Sequence, residues 1–158
     1  MAREREYRYR VDGEGRVFHD GSEVVDPATL RFFLLAMTRT AEGSWMVLCQ
    51  GERNWFEADE TPFVVQRVRP VVHEGAVQGL DLVLAGGHVE RLDPRTLESD
   101  GGRLRCLVRK GAHRGRFGRV ALAQLGSYLV DAGGGEAALV LAGERYLVRE
   151  ATARPGSS

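Results

Sequence analysis

Alternation and spacing of apolar residues in the N-terminal part predict a hairpin followed by a helix. Apolar and basic residues alternate over residues 7–11, and residues 16–19 return across a turn at Asp12-Gly13, as in a half-buried hairpin. Asp26-Pro27 then offers an N-cap and a first-turn proline. The next apolar residues have helical spacing and predict an amphipathic helix that ends near Thr40: Leu30, Phe33, Leu34 and Met37.

Strand patterns dominate the rest of the chain. Residues 45–50 and 54–57 predict a second hairpin around Gly51, and residues 63–68 and 80–84 predict strands between Pro and Gly turns. Residues 104–108 alternate as a further strand. A second helix with Leu122, Leu125 and Leu129 on one face is predicted to end at the glycines 133–135. A last hairpin is predicted from residues 137–142 and 146–149.

These elements predict an α+β fold made of two similar strand-helix-hairpin halves with mainly antiparallel sheet. We place an N-terminal half with irregular middle strands at residues 1–95, a C-terminal half at 96–150 and a disordered tail at 151–158. An offset of 92 residues aligns the halves without a gap: Leu30 falls on Leu122, and the Gly-Glu-Arg turn 51–53 falls on 143–145. Chance alignment of two amphipathic segments is the alternative, and we favour duplication.

Composition restricts the class of protein. Apolar residues make up 43% and charged residues 28% of 158 residues, and the formal net charge is zero, which argues against a general nucleic-acid coat or a polybasic membrane anchor. The charged start and the absence of a long apolar run predict a cytoplasmic protein without a membrane partner. Cys49 and Cys106 lie in apolar strands, and we interpret both as buried small hydrophobic residues.

The main candidate for binding chemistry is a basic segment without any Asp or Glu between Gly101 and Val130. Its glycines at 111, 115 and 118 predict a flexible loop directly before the second helix, where backbone N–H groups and guanidinium groups would face an anion. The predicted ligand-binding residues are Arg109, Lys110, Gly111, His113, Arg116 and Arg119. The alternative is a solvated basic hairpin whose arginines pair with the acidic stretch Glu57, Asp59 and Glu60.

Several motifs in this order resemble the bacterial domain-of-unknown-function family 1285 (DUF1285). They are residues 12–15 and 17–21, the helix from Leu30, Glu52, the segment 57–63, residues 108–111 and the spacing from Arg119 to Leu125. The resemblance implies a duplicated α+β core, a C-terminal half similar to a pleckstrin-homology barrel, and a site between the halves for a nucleotide-like ligand. The chain departs from the family at Leu122-Ala123, where an aromatic pair is usual, and at Gln124, where an acid is usual.

The sequence therefore predicts a non-enzymatic ligand-binding or regulatory module for a small anionic or nucleotide-like molecule. The alternatives are an adaptor that binds a protein or nucleic acid through the basic loop, and a weak hydrolase. His19 and Asp20 are adjacent and would point to opposite faces of a strand, so no catalytic dyad is predicted unless the turn at Gly21 bends the chain. His73 and His88 have no second ligand at metal-binding spacing, and neither a metal nor a cofactor is expected.

Overall fold

The N-terminal part of the chain forms one mixed sheet covered by a helix. The structure, a computed structural model, describes residues 5–151. The first elements are β1 (Glu6–Val11), β2 (Val17–His19), β3 (Ser22–Val24), α1 (Pro27–Ala36), β4 (Thr38–Arg39), β5 (Trp45–Cys49) and β6 (Glu52–Glu57). The strands lie in the order β3-β2-β1-β6-β5-β4, with β1 and β6 parallel and the other neighbours antiparallel. Both hairpins predicted in this part are confirmed.

The capping and the apolar face of α1 agree with the sequence pattern. Asp26 Oδ2 accepts a hydrogen bond from the Thr29 N–H at 3.0 Å, which satisfies one of the free donors of the first turn. The buried ring of Phe33 contacts Tyr9 and Phe56 of the sheet, in both cases with centroids 5.1 Å apart. The helix ends at Ala36, earlier than predicted, because Met37 is already extended (φ −60°, ψ 127°).

The middle of the chain contains a three-stranded meander and one strand that joins the C-terminal sheet. Its strands are β7 (Val64–Val65), β8 (Arg67–His73), β9 (Ala76–Val83) and β10 (Val89–Arg91). Strands β8, β9 and β10 form an antiparallel sheet, in which β8 is an edge strand and therefore tolerates Pro70. Strand β7 instead pairs with a strand of the C-terminal part, so the connection between β6 and β8 crosses from one half to the other.

The C-terminal part contains two sheets around a second helix. Its elements are β11 (Glu98–Asp100), β12 (Arg103–Val108), β13 (His113–Phe117), α2 (Arg119–Gly126), β14 (Leu129–Gly133), β15 (Glu136–Leu141), β16 (Glu144–Leu147) and β17 (Arg149–Glu150). One sheet has the order β17-β11-β12-β13-β7, in which β17 and β7 are parallel to their neighbours, and the other is the antiparallel meander β14-β15-β16. The described residues thus form a mixed α+β fold with two α-helices and mainly antiparallel sheets.

Two predictions for the C-terminal part are wrong. The predicted flexible loop is the strand β13, and its Gly115 is needed because a Cβ there would lie 2.9 Å from Val108 Cγ1. The second helix ends at Gly126, so Leu129 belongs to β14, and the buried residues of the helix are Ala121 and Leu125 instead of Leu122. The glycines 133–135 have positive φ and form the β14–β15 turn, a conformation that glycine adopts without strain.

One hydrophobic cluster connects the two halves and the middle segment. It includes residues with no exposed surface from each region: Val47, Phe63, Leu80, Leu82, Val108, Leu125 and Leu139. The predicted boundary between residues 95 and 96 therefore crosses a continuous core. Residues 152–158 of the predicted tail lie outside the described residues, whereas the Ala151 N–H donates to the Ser99 carbonyl at 2.7 Å.

The first prediction concerns the buried face of α1. We expect Phe33→Ala to lower the free energy of unfolding by about 3 to 5 kcal/mol, because it removes a ring enclosed by Tyr9 and Phe56. The matched control is Phe32→Ala, since the neighbouring ring is 44% exposed and its loss should cost about 1 kcal/mol. Urea unfolding of both variants measures the difference, and equal losses would show that this face does not support the core.

The second prediction concerns the contact of α1 with the 3₁₀ turn Ala85–Gly87. A Cβ at Gly86 (φ +71°) would lie 2.5 Å from the Pro27 carbonyl oxygen, whereas one at Gly87 (φ +76°) would meet nothing within 4 Å. Gly87→Ala should therefore cost about 1 to 2 kcal/mol from backbone conformation alone. Gly86→Ala should cost a further 1 to 3 kcal/mol, approximately, because the helix must also move. Melting temperatures that fall equally would contradict this close packing.

Candidate ligand-binding groove

A groove lies where the N-terminal sheet meets the strands β12 and β13. It consists of two neighbouring cavities of about 500 and 600 Å³ that share Arg39, Trp45 and Glu60 in their walls. The lining of the first cavity also includes Arg8, Trp55 and Glu57 of β1 and β6. The lining of the second also includes Arg105, His113 and Arg114 of β12 and β13. The groove is thus built from both halves and is within the size range of small-molecule sites.

Three aromatic side chains from different elements pack together at the groove: Trp45 and His113 line it, and the buried Phe63 lies behind them. Phe63, which precedes β7, is fully buried, and the His113 ring stacks on it with centroids 4.8 Å apart and an angle of 9°. The Trp45 ring meets Phe63 and His113 edge to face, at 5.4 and 5.2 Å. These are the preferred geometries of aromatic pairs, so this cluster fixes the N-terminal sheet against β13.

The environment of His113 favours its neutral form. Burial lowers the pKa of the imidazole below its ordinary value of 6.5, and the charges of Arg109 and Arg39 lower it further. The ring is therefore an uncharged part of the groove wall at neutral pH.

Glu60 provides the main negative charge in the groove. Its Oε1 lies 2.7 Å from Arg103 Nη1, and its Oε2 lies 3.2 Å from Arg105 Nη2. Burial alone would raise the pKa of Glu60, but hydrogen bonds from Arg103 and Arg105 outweigh it and hold the pKa below its ordinary value. Asp100 Oδ2 is 2.9 Å from Arg105 Nη1, so Arg105 lies between two carboxylates.

The residues after Glu60 are anchored in the C-terminal sheet. The buried Thr61 hydroxyl donates to the Arg114 carbonyl at 2.7 Å and accepts a hydrogen bond from the Phe63 N–H at 3.2 Å. The Phe63 carbonyl in turn accepts from the Arg116 N–H at 3.0 Å. The position of Glu60 is therefore set by β13 as well as by its two arginines.

Donors outnumber acceptors along the groove. The Arg39 guanidinium lies over the Trp45 ring at 5.4 Å, and the Arg114 side chain is half-exposed and 3.3 Å from Glu98. Within residues 5–151, the buried side-chain donors without a hydrogen-bond partner are Trp55 Nε1 and Arg105 Nε, and both residues line the groove. The exposed guanidinium groups of Arg39 and Arg114 offer cationic donors along the wall, which suit a ligand rich in acceptors.

Of the predicted ligand-binding residues, His113 lines the groove and Arg109 lies directly behind it. Arg109 Nη1 donates to the Met37 carbonyl, at the C-terminal end of α1, at 2.8 Å, and its guanidinium lies over the Phe63 ring at 5.9 Å. The Arg109 N–H donates to Glu90 Oε1 at 2.6 Å. These contacts offset the cost of a positive φ of 54° at a non-glycine residue.

The other four predicted residues lie elsewhere. Lys110 and Gly111 line a separate cavity of about 330 Å³ that also includes Glu90 and Asp93. Arg116 reaches the β1–β2 turn, where its Nη2 would be 3.2 Å from a Cβ at Gly13. The Arg119 N–H, at the start of α2, donates to Glu14 Oε2 at 3.1 Å, so a carboxylate of the chain itself occupies this helix N-terminus.

Sequence reasoning did not select Arg39, Trp45, Arg105 or Arg114 as site residues. Arg105 and Arg114 belong to the acid-free segment and could have been chosen from it, whereas Arg39 and Trp45 are distant in sequence and carry no local signal. The alternative interpretation of the basic segment paired its arginines with the acidic stretch Glu57, Asp59 and Glu60, and the structure shows such ion pairs at Glu60. Gln124, which replaces an acid of the family pattern, accepts a hydrogen bond from the Val68 N–H at 2.7 Å.

Histidines outside the groove form isolated pairs with acids. The exception stated for His19 and Asp20 applies, because the chain bends at Asp20 (φ 48°) and Gly21, and Asp20 Oδ2 lies 3.3 Å from His19 Nε2. Residues 5–151 contain no group of three or more His, Cys, Asp or Glu side chains arranged to hold a metal ion. Neither helix within these residues has the length and apolar character that a membrane span requires.

The third prediction concerns the protonation of His113. We expect its imidazole to titrate below pH 6.5 in an NMR experiment, and Arg109→Gln to raise its pKa part of the way towards that value. Because the folded state then binds fewer protons than the unfolded state, the free energy of unfolding should fall as the pH drops below about 6.5. Lys110→Gln, in the same turn, is the control and should leave the titration unchanged. A His113 pKa above 6.5 would contradict the observed burial.

Comparison with known proteins identifies the fold. No protein-family model matches the sequence, and no curated protein matches it significantly. A DUF1285 family protein from Silicibacter pomeroyi DSS-3 is 16% identical, with a TM-score of 0.63 over 93% of this chain and 84% of that chain. A DUF1285 family protein from Shewanella baltica OS155 is 10% identical, with a TM-score of 0.56 over 75% of this chain and 90% of that chain. The protein is therefore DUF1285-like in fold, as the resemblance of its sequence motifs predicted.

Proposed function

We propose that the protein is a ligand-binding or regulatory module that binds a small anionic or nucleotide-like molecule between its two halves. The observation that supports this most directly is the groove in which Arg39, Arg105 and Arg114 line the wall together with Trp45 and His113. Guanidinium groups bind phosphate and carboxylate groups through paired N–H donors, and aromatic rings pack against planar ligand groups. One site with both features suits a ligand that carries a ring and an anionic group.

The location of the groove supports a regulatory role. A ligand in it would touch β5 and β6 of one half and β12 and β13 of the other. Binding would then favour whichever arrangement of the halves completes these contacts, and this preference is the physical requirement for a switch.

We further infer that the halves arose by duplication of one unit. In each half an antiparallel group of strands is followed by a helix and an antiparallel three-stranded meander. Each half also ends with a parallel pair, formed in the N-terminal half by the last meander strand, β6 with β1, and in the C-terminal half by a further short strand, β17 with β11. The offset of 92 residues places α2 on α1 and preserves strand register, since Cys49 pairs with Glu52 and Leu141 with Glu144. The likeness of the C-terminal half to a pleckstrin-homology barrel stays a prediction.

The fourth prediction tests the proposed site. A thermal-shift screen against nucleotides, phosphorylated metabolites and short oligonucleotides should find a ligand, since one at 100 times its dissociation constant stabilises by about 2.7 kcal/mol. Calorimetric titration of the best hit should then give about tenfold weaker binding to Arg39→Gln and to Arg114→Gln, because each loses one charge-assisted contact.

The control for this titration is Arg119→Gln, a predicted site residue outside the walls of both cavities, and its affinity should equal that of the wild type. If only Arg119→Gln weakened binding, the ligand would bind at the segment before α2 and not in the groove. A hit that is an oligonucleotide, with affinity that falls steeply in salt, would favour the adaptor. Turnover of a hit would favour the hydrolase.

A further inference from the structure

Glu60 occupies the position that an anionic ligand would need. Its carboxylate lies between the two cavities, forms part of the wall of each, and contacts Arg103 and Arg105 at 2.7 and 3.2 Å. Arg105 is the most buried of the arginines with an ion pair in this region, with 15% of its side chain exposed. The carboxylate of Glu60 therefore shows that these arginines can bind an anionic group at this place.

The backbone around Glu60 is held on one side only. Thr61 and Phe63 are buried and hydrogen-bonded to β13, whereas Asp59 and Glu60 form a bend and make no backbone hydrogen bond within residues 5–151. The Glu60 carboxylate is thus fixed mainly by its ion pairs. Its removal from the arginines requires a local change in a short exposed bend and leaves the sheets unchanged.

We propose that Glu60 is an internal competitor of the ligand: an anionic group of the ligand replaces its carboxylate on Arg103 and Arg105, and the displaced side chain joins the two cavities into one. The inference rests on the proposed function of the groove. Arg105 already holds Asp100 at Nη1 and Glu60 at Nη2, so a further anionic group on this guanidinium needs the place that Glu60 occupies. Asp100 remains bound to Arg105, so the ligand replaces the carboxylate of Glu60 only.

This arrangement has a consequence for affinity and selectivity. An attached competitor lowers the apparent affinity of every ligand by the fraction of molecules in which it occupies the arginines. A ligand with a single weak anionic contact is then excluded, while one that also contacts Trp45 displaces Glu60. Ligand binding would also release the bend at Asp59 and Glu60, which lies in the segment that connects β6 to β7.

The fifth prediction tests this competition with inorganic pyrophosphate and succinate as probes, which separate phosphate from carboxylate ligands. We expect Glu60→Gln to bind one of them about tenfold more tightly than the wild type, because the competing charge is gone. The melting temperature of Glu60→Gln without ligand should be lower, since Arg103 and Arg105 lose a partner. Lower stability combined with higher affinity distinguishes a competitor from a purely structural ion pair, whose loss would weaken binding.

The matched control is Glu57→Gln, which removes an equal charge from the same groove at an exposed residue without an ion pair in the described part of the chain. Its affinity for the probes should rise less than threefold, roughly, as expected for screened surface charge. Glu60→Asp keeps the charge but shortens the side chain, and should bind with intermediate affinity.

The outcomes separate the two proposals. If the wild type binds a probe or the screening hit and Glu60→Gln binds it equally or more weakly, Glu60 is not a competitor, and the groove remains the site. If Glu57→Gln and Glu60→Gln gain affinity equally, the gain is general electrostatics and the inference fails. If wild type and both variants bind neither the probes nor any compound of the screen, the proposed function fails as well.

Discussion

The packing of the Phe63 ring between Trp45 and His113 is the contact on which the rest of the arrangement depends. Phe63 has no exposed surface, and the strand that follows it, β7, adds to the sheet of the other half beside β13. Full burial of one phenylalanine contributes about 1.5 to 3 kcal/mol, and its two ring contacts add to this. Because the crossing segment is fixed here, the two sheets meet at one defined place, and the groove opens beside it.

Several residues of the basic, acid-free segment form hydrogen bonds or ion pairs with the N-terminal half. Arg109 donates to the carbonyl at the end of α1, and the Arg119 N–H at the N-terminus of α2 donates to the carboxylate of Glu14 from the first hairpin. Arg103 and Arg105 bind Glu60, and Arg114 binds Glu98. The net charge of the chain is zero, yet the strands β12 and β13 are rich in arginine. Acidic residues from other elements neutralise this basic surface. Such contacts are individually modest in water and gain strength where they are shielded, as at Arg105.

A ligand bound in this groove would contact both halves of the protein at the place where they meet. The rings of Trp45 and His113 in its wall pack on the buried Phe63, whereas its charged groups are on side chains that are partly exposed. A ligand would thus exchange contacts with the charged groups without disturbing the aromatic cluster. This division suits a module whose ligand changes the connection between β6 and β7 while the sheets keep their structure.

Local patterns in the sequence determined the two N-terminal hairpins, the capped start of α1 and the buried stripe from Phe33 to Met37. These features could be predicted because the apolar period and the capping of a helix depend on residues close together in the sequence. Asp26 and Pro27, for example, mark the start of α1 as its N-cap and its first residue. The pairing of arginines of the acid-free segment with Glu60, which the sequence offered as the alternative to a ligand site, is present in the structure.

Only the tertiary structure decided which of these groups face a common space. Gly115 signals a flexible loop locally, but in the fold it is the small residue that lets β13 pack on Val108. Arg119 has the sequence context of an anion site, yet Glu14 from the other half already fills it. Arg39 and Trp45 join Arg105 and His113 because β7 carries the chain from one sheet to the other. Such contacts between distant residues depend on how the sheets pack, and no local period or spacing encodes them.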